Sequence, residues 1–414
     1  MAKMAQYRPY LPAAYHESFD SFLKFHAEYG SDLGIGDPRS MRTKLDANVV
    51  EAWETNVIEK GRLDGISDPA RRLEIMGAEG VGAEVLFPDF GLPFELPPRT
   101  AQHLGYVRTD EQVRVGATAH NRWLVDFCST APERFIGMAV INFDDVDAAI
   151  AEIRWAKDAG LKGIVLPSFT EEVPLYDERH DPIWRTLAEL EMPVNSHIAT
   201  SMTTTRTFHM STDPHIGCGM TIYQSELFFV TRQLLTHMIW GGVLERHPNL
   251  SFVMTEVGSG WVPGALDGMD YAYEGSYLPR DLQRVLRLKP SEYFERQVHL
   301  GSSIFSRFEI ESRHQIGVHK MMLGMDYPHH EGTWAAGPGT LAYLQSTLGV
   351  GNVPPEEATQ MLSGNAQRVF NLDGAALDIV RQNVGFTLRD VLTSPGEPLY
   401  ARGDVNKPIG ASVA

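Results

Sequence analysis

Leu323-Gly-Met-Asp326-Tyr-Pro-His-His330-Glu-Gly-Thr-Trp334 continues the apolar pair Met321-Met322 and ends it in an aspartate, a Tyr-Pro turn and two histidines. An apolar run closed by a carboxylate reads as a buried strand with a functional group at its C-terminal mouth. In parallel α/β proteins chemistry collects at that edge of the sheet, where a carboxylate serves as metal ligand or general base. An aspartate that caps the following turn is the alternative reading of this segment alone.

Six more β-rich apolar runs lie upstream, at 84–88, 135–141, 163–167, 193–197, 250–256 and 298–303. Helical patterns separate them. The stretch 147–160 has an acidic start, apolar residues at helical spacing and a closing glycine; 231–246, 263–277 and 355–369 read as further helices. Strands alternating with helices predict βαβ units and a parallel sheet. The expected fold is α/β, a TIM-like distorted (β/α)8 barrel that counts one strand short. Residues 1–75 form an N-terminal helical or irregular segment, 76–373 the barrel, and 374–414 a C-terminal extension with a Pro- and Gly-punctuated tail. The 201–222 stretch reads as a long functional loop. A barrel missing a strand has two unpaired edges. The segment before Arg39, or a partner subunit, is expected to cover that gap.

The 414 residues are 43% hydrophobic, enough for a large core. A net charge of -17 argues against nucleic acid and anionic membrane surfaces, which select basic faces. No apolar run reaches the roughly 20 residues needed to span a bilayer. The two cysteines, Cys128 and Cys218, form no disulfide framework and suit a reducing cytoplasm. The expected partner is a small-molecule substrate, and the expected assembly a homo-oligomer.

Three strand ends carry ionisable side chains: His197, Glu256 and Asp326. One imidazole and two carboxylates form a mixed nitrogen and oxygen set suited to Zn²⁺, Mn²⁺ or Fe²⁺. A divalent ion held there would acidify a bound water, and a neighbouring carboxylate would move its proton. Trp261, Tyr327, His329 and His330 lie beside the same mouth and are the candidate substrate contacts. Gly258-Ser-Gly-Trp-Val-Pro-Gly264 has the spacing GxGxxxG and lacks the surrounding βαβ unit of a dinucleotide fingerprint, so a nicotinamide cofactor is rejected. Neither a Gly-x-Ser-x-Gly elbow nor a phosphate-binding loop is present.

A series of motifs resembles the amidohydrolase superfamily, in the amidohydrolase-related branch that includes aminocarboxymuconate-semialdehyde decarboxylase. In order they are Glu84-Val-Leu-Phe-Pro, Pro132-Glu-Arg-Phe-Ile-Gly-Met, Ala159-Gly-Leu-Lys-Gly-Ile-Val-Leu-Pro and Met192-Pro-Val-Asn-Ser-His. Gly241-Gly-Val-Leu-Glu-Arg-His-Pro-Asn-Leu, Gly260-Trp-Val-Pro, Gly324-Met-Asp-Tyr-Pro-His and Gly364-Asn-Ala-Gln-Arg-Val-Phe follow. The resemblance implies a barrel holding a divalent metal, usually zinc, with His197 and Asp326 at the ligand positions after the fifth and eighth family strands. Two departures stand out. The family's first-strand His-x-His motif is missing, and Glu256 occupies the position of the decarboxylases' catalytic histidine.

These residues predict a metal-dependent hydrolase or carboxy-lyase acting on a small carboxylate- or ring-bearing compound. Asp326 would bind metal and move protons, His197 would bind metal, and Glu256 would complete the site. The alternative is a catalytically impaired barrel serving as a scaffold or small-molecule binding protein.

Overall fold

The computed structural model describes residues 3–29, 47–88, 91–96, 101, 104–198, 218–275, 281–302, 305–329, 332–334 and 339–395. Its centre is a seven-stranded parallel sheet in simple sequential order. The strands are β1 (Glu84–Leu86), β2 (Phe135–Val140), β3 (Gly163–Val165), β4 (Val194–His197), β5 (Phe252–Thr255), β6 (Val298–Ser302) and β7 (Met321–Leu323). All seven fall within the seven apolar runs. Of the helices that the argument uses, α1 is His16–Tyr29, α2 Pro69–Ala78, α3 Asp110–Ser129, α4 Val146–Asp158, α5 Cys218–Trp240, α6 Val262–Glu274 and α7 Arg307–Glu311.

Local chemistry sets these boundaries. The Asp145 side chain accepts the Ala148 amide and starts α4, which buries Ala149, Ile153 and Ala156 on one face. Thr109 and Gln112 form a capping box at the start of α3. Helix α5 begins earlier than the pattern at 231–246 predicts, and the chain breaks at Gly242, whose φ is 73°.

Both faces of the sheet are buried, which is why its strands read as continuous apolar runs. Phe135, Ile164, Val194, Phe252, Leu300 and Met321 pack outward in the main core. Ile136, Met138, Val165, Val253 and Met322 form a separate inner cluster plugged by Phe370. The sheet therefore curls around its own core as an incomplete barrel.

Among the described residues no strand pairs with the outer edge of β1 or of β7. Of the segment before Arg39 only residues 3–29 are described, and these pack on α3. Tyr7 bonds His120 of α3 at 2.9 Å, and Phe19 of α1 packs edge-on against Phe94. Burial of these aromatic rings holds the segment over α3. Side chains from 62–84 bridge the seam. Arg72 of α2 donates to Glu84 at 2.7 Å and lays its guanidinium over the Tyr327 ring at 3.7 Å. The Tyr327 hydroxyl donates to the Arg62 carbonyl at 2.5 Å, and Arg62 pairs with Glu79.

The described part of the C-terminal extension, 374–395, holds two helices, while 396–414 lie outside the described residues. Asp373 caps the helix Gly374–Arg381, and a Thr387/Asp390 capping box opens Leu388–Leu392. Most of the predicted loop, 201–217, lies outside the described residues, and 218–222 already belong to α5. No helix among the described residues is long and apolar enough to cross a membrane.

Burial pushes His120 and His299 down to about 3 from the ordinary 6.5. Both stay neutral when folded and take up a proton when unfolded, so acid favours the unfolded chain. Their stabilising contribution is complete above pH 6.5 and declines as pH falls towards 3. Urea titrations between pH 7 and 5 should show stability falling by up to about 1.4 kcal/mol per pH unit per histidine below 6.5. His299→Leu should flatten that slope by one proton's worth; an unchanged slope would mean that His299 is protonated in the folded chain.

Candidate active site

The C-terminal edges of β4, β5 and β7 meet at one mouth. His197 is the last residue of β4, Glu256 follows β5 directly, and Asp326 lies three residues past β7. The register aligns His197 with Thr255, and the Glu256 amide donates to the Gly301 carbonyl at the end of β6. Glu256 and Asp326 both take left-handed backbone angles, with φ of 59° and 58°. A non-glycine residue held there costs on the order of 1 kcal/mol or more, a strain often found where a side chain must be aimed at a site. The Tyr327–Pro328 peptide bond is cis.

These turns bring four side chains together. His197 Nε2 lies 3.1 Å from Glu256 Oε2, and His329 Nδ1 lies 3.7 Å from Glu256 Oε1 and 3.3 Å from Asp326 Oδ1. Glu256, Asp326 and His329 each offer a ligand atom within 4.8 Å of the other two. Their side chains are only 11–20% exposed, so water screens them weakly. Two carboxylates at that separation repel by on the order of 3 kcal/mol at an effective dielectric near 20.

The donor set fits a divalent cation. The Ile198 carbonyl can only accept, so at 2.8 Å it fixes the His197 proton on Nδ1. In the neutral ring Nε2 then turns a lone pair towards a carboxylate oxygen. Two acceptors 3.1 Å apart need a proton or a cation between them. An imidazole whose second nitrogen is held by a carbonyl is the usual arrangement of a metal-ligating histidine. Donors about 2.1 Å from a common ion lie about 3.0–3.5 Å apart. That is close to the 3.3 and 3.7 Å that separate His329 from the two carboxylates. His197 approaches Glu256 and is not one of the three groups whose ligand atoms lie within 4.8 Å of one another.

The cluster opens into a cavity of about 630 Å³ that continues along the β1–β7 seam towards Phe370 and Phe386. Phe87 flanks His197 with ring centroids 5.2 Å apart. Tyr327 lines the cavity, but its hydroxyl is committed to Arg62 and burial pushes its phenol pKa up. Trp261 does not line it. The indole Nε1 of Trp261 donates to the Val257 and Gly258 carbonyls, at 3.1 and 3.0 Å, because the turn after β5 folds back beneath it. His330 lies outside the described residues.

The ligand-like position of His329 was not separated from its neighbour by sequence reasoning. The usable signal is the i, i+3 spacing from Asp326 across a Tyr-Pro turn, which returns the imidazole to the carboxylate. The Arg72–Glu84 bracket had no local signal, since its partners sit on different elements.

The family model for amidohydrolase matches residues 66–372. A gamma-resorcylate decarboxylase from a Rhizobium species is 22% identical over 316 residues, covering 73% of this chain and 87% of that protein. A gamma-resorcylate decarboxylase from Rhodococcus jostii is 23% identical over 230 residues, covering 52% of this chain and 68% of the relative. Among solved structures, 2,6-dihydroxybenzoate decarboxylase from Rhizobium is similar with a TM-score of 0.56 at 18% identity, covering 82% of this chain and 97% of that one. The 5-carboxyvanillate decarboxylase of Novosphingobium aromaticivorans, with bound manganese and 3-methoxy-4-hydroxy-5-nitrobenzoic acid, gives 0.58 at 22% identity, covering 86% and 94%. The structural likenesses show the shared fold, and the family match spans well over half of the chain. This chain belongs to the amidohydrolase family and is an enzyme.

Proposed function

We propose that the chain is a metal-dependent carboxy-lyase acting on a small aromatic carboxylate. The observation that carries this reading is the meeting of His197, Glu256, Asp326 and His329 at one strand-end mouth above a largely apolar cavity. The decarboxylases among the relatives support this reaction over hydrolysis.

Glu256, Asp326 and His329 would hold the ion, and His197 stands beside them against Glu256. Zn²⁺ and Mn²⁺ both suit a set of one imidazole and two carboxylates. Bound there, a divalent ion supplies the positive charge that fixes an anionic oxygen of the substrate. Phe87 and the apolar walls exclude water from the ring. Asp326, which lines the cavity, is the residue assigned to proton transfer. The bond between ring carbon and carboxylate breaks, CO₂ leaves, and the electron pair stays on the ring carbon. That carbon takes one proton, which reaches it through Asp326 from solvent.

The metal-loaded protein should release CO₂ from 2,6-dihydroxybenzoate or 5-carboxyvanillate. In D₂O the product should carry one deuterium at the vacated ring carbon. Asp326→Asn should lower turnover by about 10²–10⁴-fold with an unchanged unfolding midpoint. Release of ester or amide cleavage products from a substrate panel, with no CO₂ from any aromatic acid, would replace this reading with hydrolysis.

A further inference from the structure

Glu309 is a buried carboxylate that no step above uses. It lies on α7, just after β6, and is 5% exposed. Its two oxygens are divided between two elements. Oε2 accepts the Ser306 amide at 2.7 Å, while Ser306 Oγ accepts the Glu309 amide at 3.1 Å, which closes the capping box of its own helix. Oε1 crosses to the turn after β5 and accepts both the amide and the hydroxyl of Ser259, which is fully buried.

That turn carries Glu256. It is sharply bent, with φ of 59° at Glu256 and 62° at Gly258, and needs external holding to stay so. The holding groups are few. Trp261 Nε1 takes the Val257 and Gly258 carbonyls, and Arg232 of α5 donates to the Val257 carbonyl at 3.4 Å. Glu309 takes the Ser259 end. It is the only anion among these groups, and charged acceptors make the stronger hydrogen bonds.

We infer that Glu309 is a positioning residue: its carboxylate pins the Val257–Gly260 turn and so aims Glu256 at the candidate metal cluster. Glutamine cannot take its place. An amide has one acceptor oxygen, so satisfying Ser306 would turn its NH₂ group towards the Ser259 N–H. The assignment rests on the metal-site reading only for the consequence at Glu256; the pinning of the turn stands apart from it.

Two measurements on the full chain test this. Hydrogen exchange followed by mass spectrometry should show the peptide over 256–262 exchanging about tenfold faster or more in Glu309→Gln, with the sheet peptides unchanged. Ser259→Ala, which keeps the capping box and removes one bond, should give a smaller rise in the same peptide. Unaltered exchange in both variants overturns the inference. Mn²⁺ titration by electron paramagnetic resonance should show binding weakened about 10–100-fold by Glu309→Gln, and no further weakening when the change is added to Glu256→Gln. Equal weakening in both backgrounds overturns the aiming of Glu256. If the unmodified chain takes up no Mn²⁺ while the exchange result holds, the metal reading falls and the pinned turn is upheld.

Discussion

Glu256 and Asp326 present carboxylate oxygens within 4.8 Å of each other in a poorly screened mouth, and that repulsion needs an opposing charge. Two imidazoles face them, and the His197 ring is oriented with its proton pointing away, on the Ile198 carbonyl. A protein that needed only stability would gain by replacing such a group with neutral residues. Two carboxylates held on strained backbone at two separate strand ends suit a preorganised cation site. Much of the surrounding structure can be read as support for that geometry.

The parallel sheet supplies most of this support. Sequential strands in register bring the ends of β4, β5 and β7 to one level, although the residues they carry are far apart in sequence. Turns then do the finer aiming: Glu309 and Trp261 grip the one after β5, while Tyr327 grips the one after β7. The grip on Tyr327 does double service. Arg72 stacks on its ring and pairs with Glu84, so the contact that steadies the Asp326 turn also ties β7 to β1 across the unclosed side of the barrel. The pair is nearly buried, and truncating either partner would leave a charge without compensation.

The strands were legible because buried parallel strands leave continuous apolar runs, and each of the seven runs holds its strand. His197, Glu256 and Asp326 were legible for a related reason, since ionisable residues stand out at the end of such runs. Their meeting is a property of register, which the runs predict once the sheet is parallel. What stayed hidden were contacts between elements distant in sequence. Arg72 with Glu84 and Glu309 with Ser259 have no periodicity to show them. Trp261 was placed at the mouth by proximity to Glu256 alone, but its indole is used by its own turn. The need to cover an edge points to the segment before Arg39 or to a partner subunit. Of that segment the described residues 3–29 set Tyr7 against His120 and Trp123 of α3, a contact that no pattern in the sequence shows.

If one divalent ion balances the two carboxylates, locating that ion is the most direct test. Crystals of the protein grown with Mn²⁺ or Zn²⁺, measured at the absorption edge of the metal, should give one strong anomalous peak per chain. The peak should lie about 2.0–2.3 Å from His329 Nδ1 and an oxygen of each of Glu256 and Asp326, the three groups whose ligand atoms lie within 4.8 Å of one another. A mouth with no peak, or a peak held by other residues while these three keep the spacings described, would contradict the account.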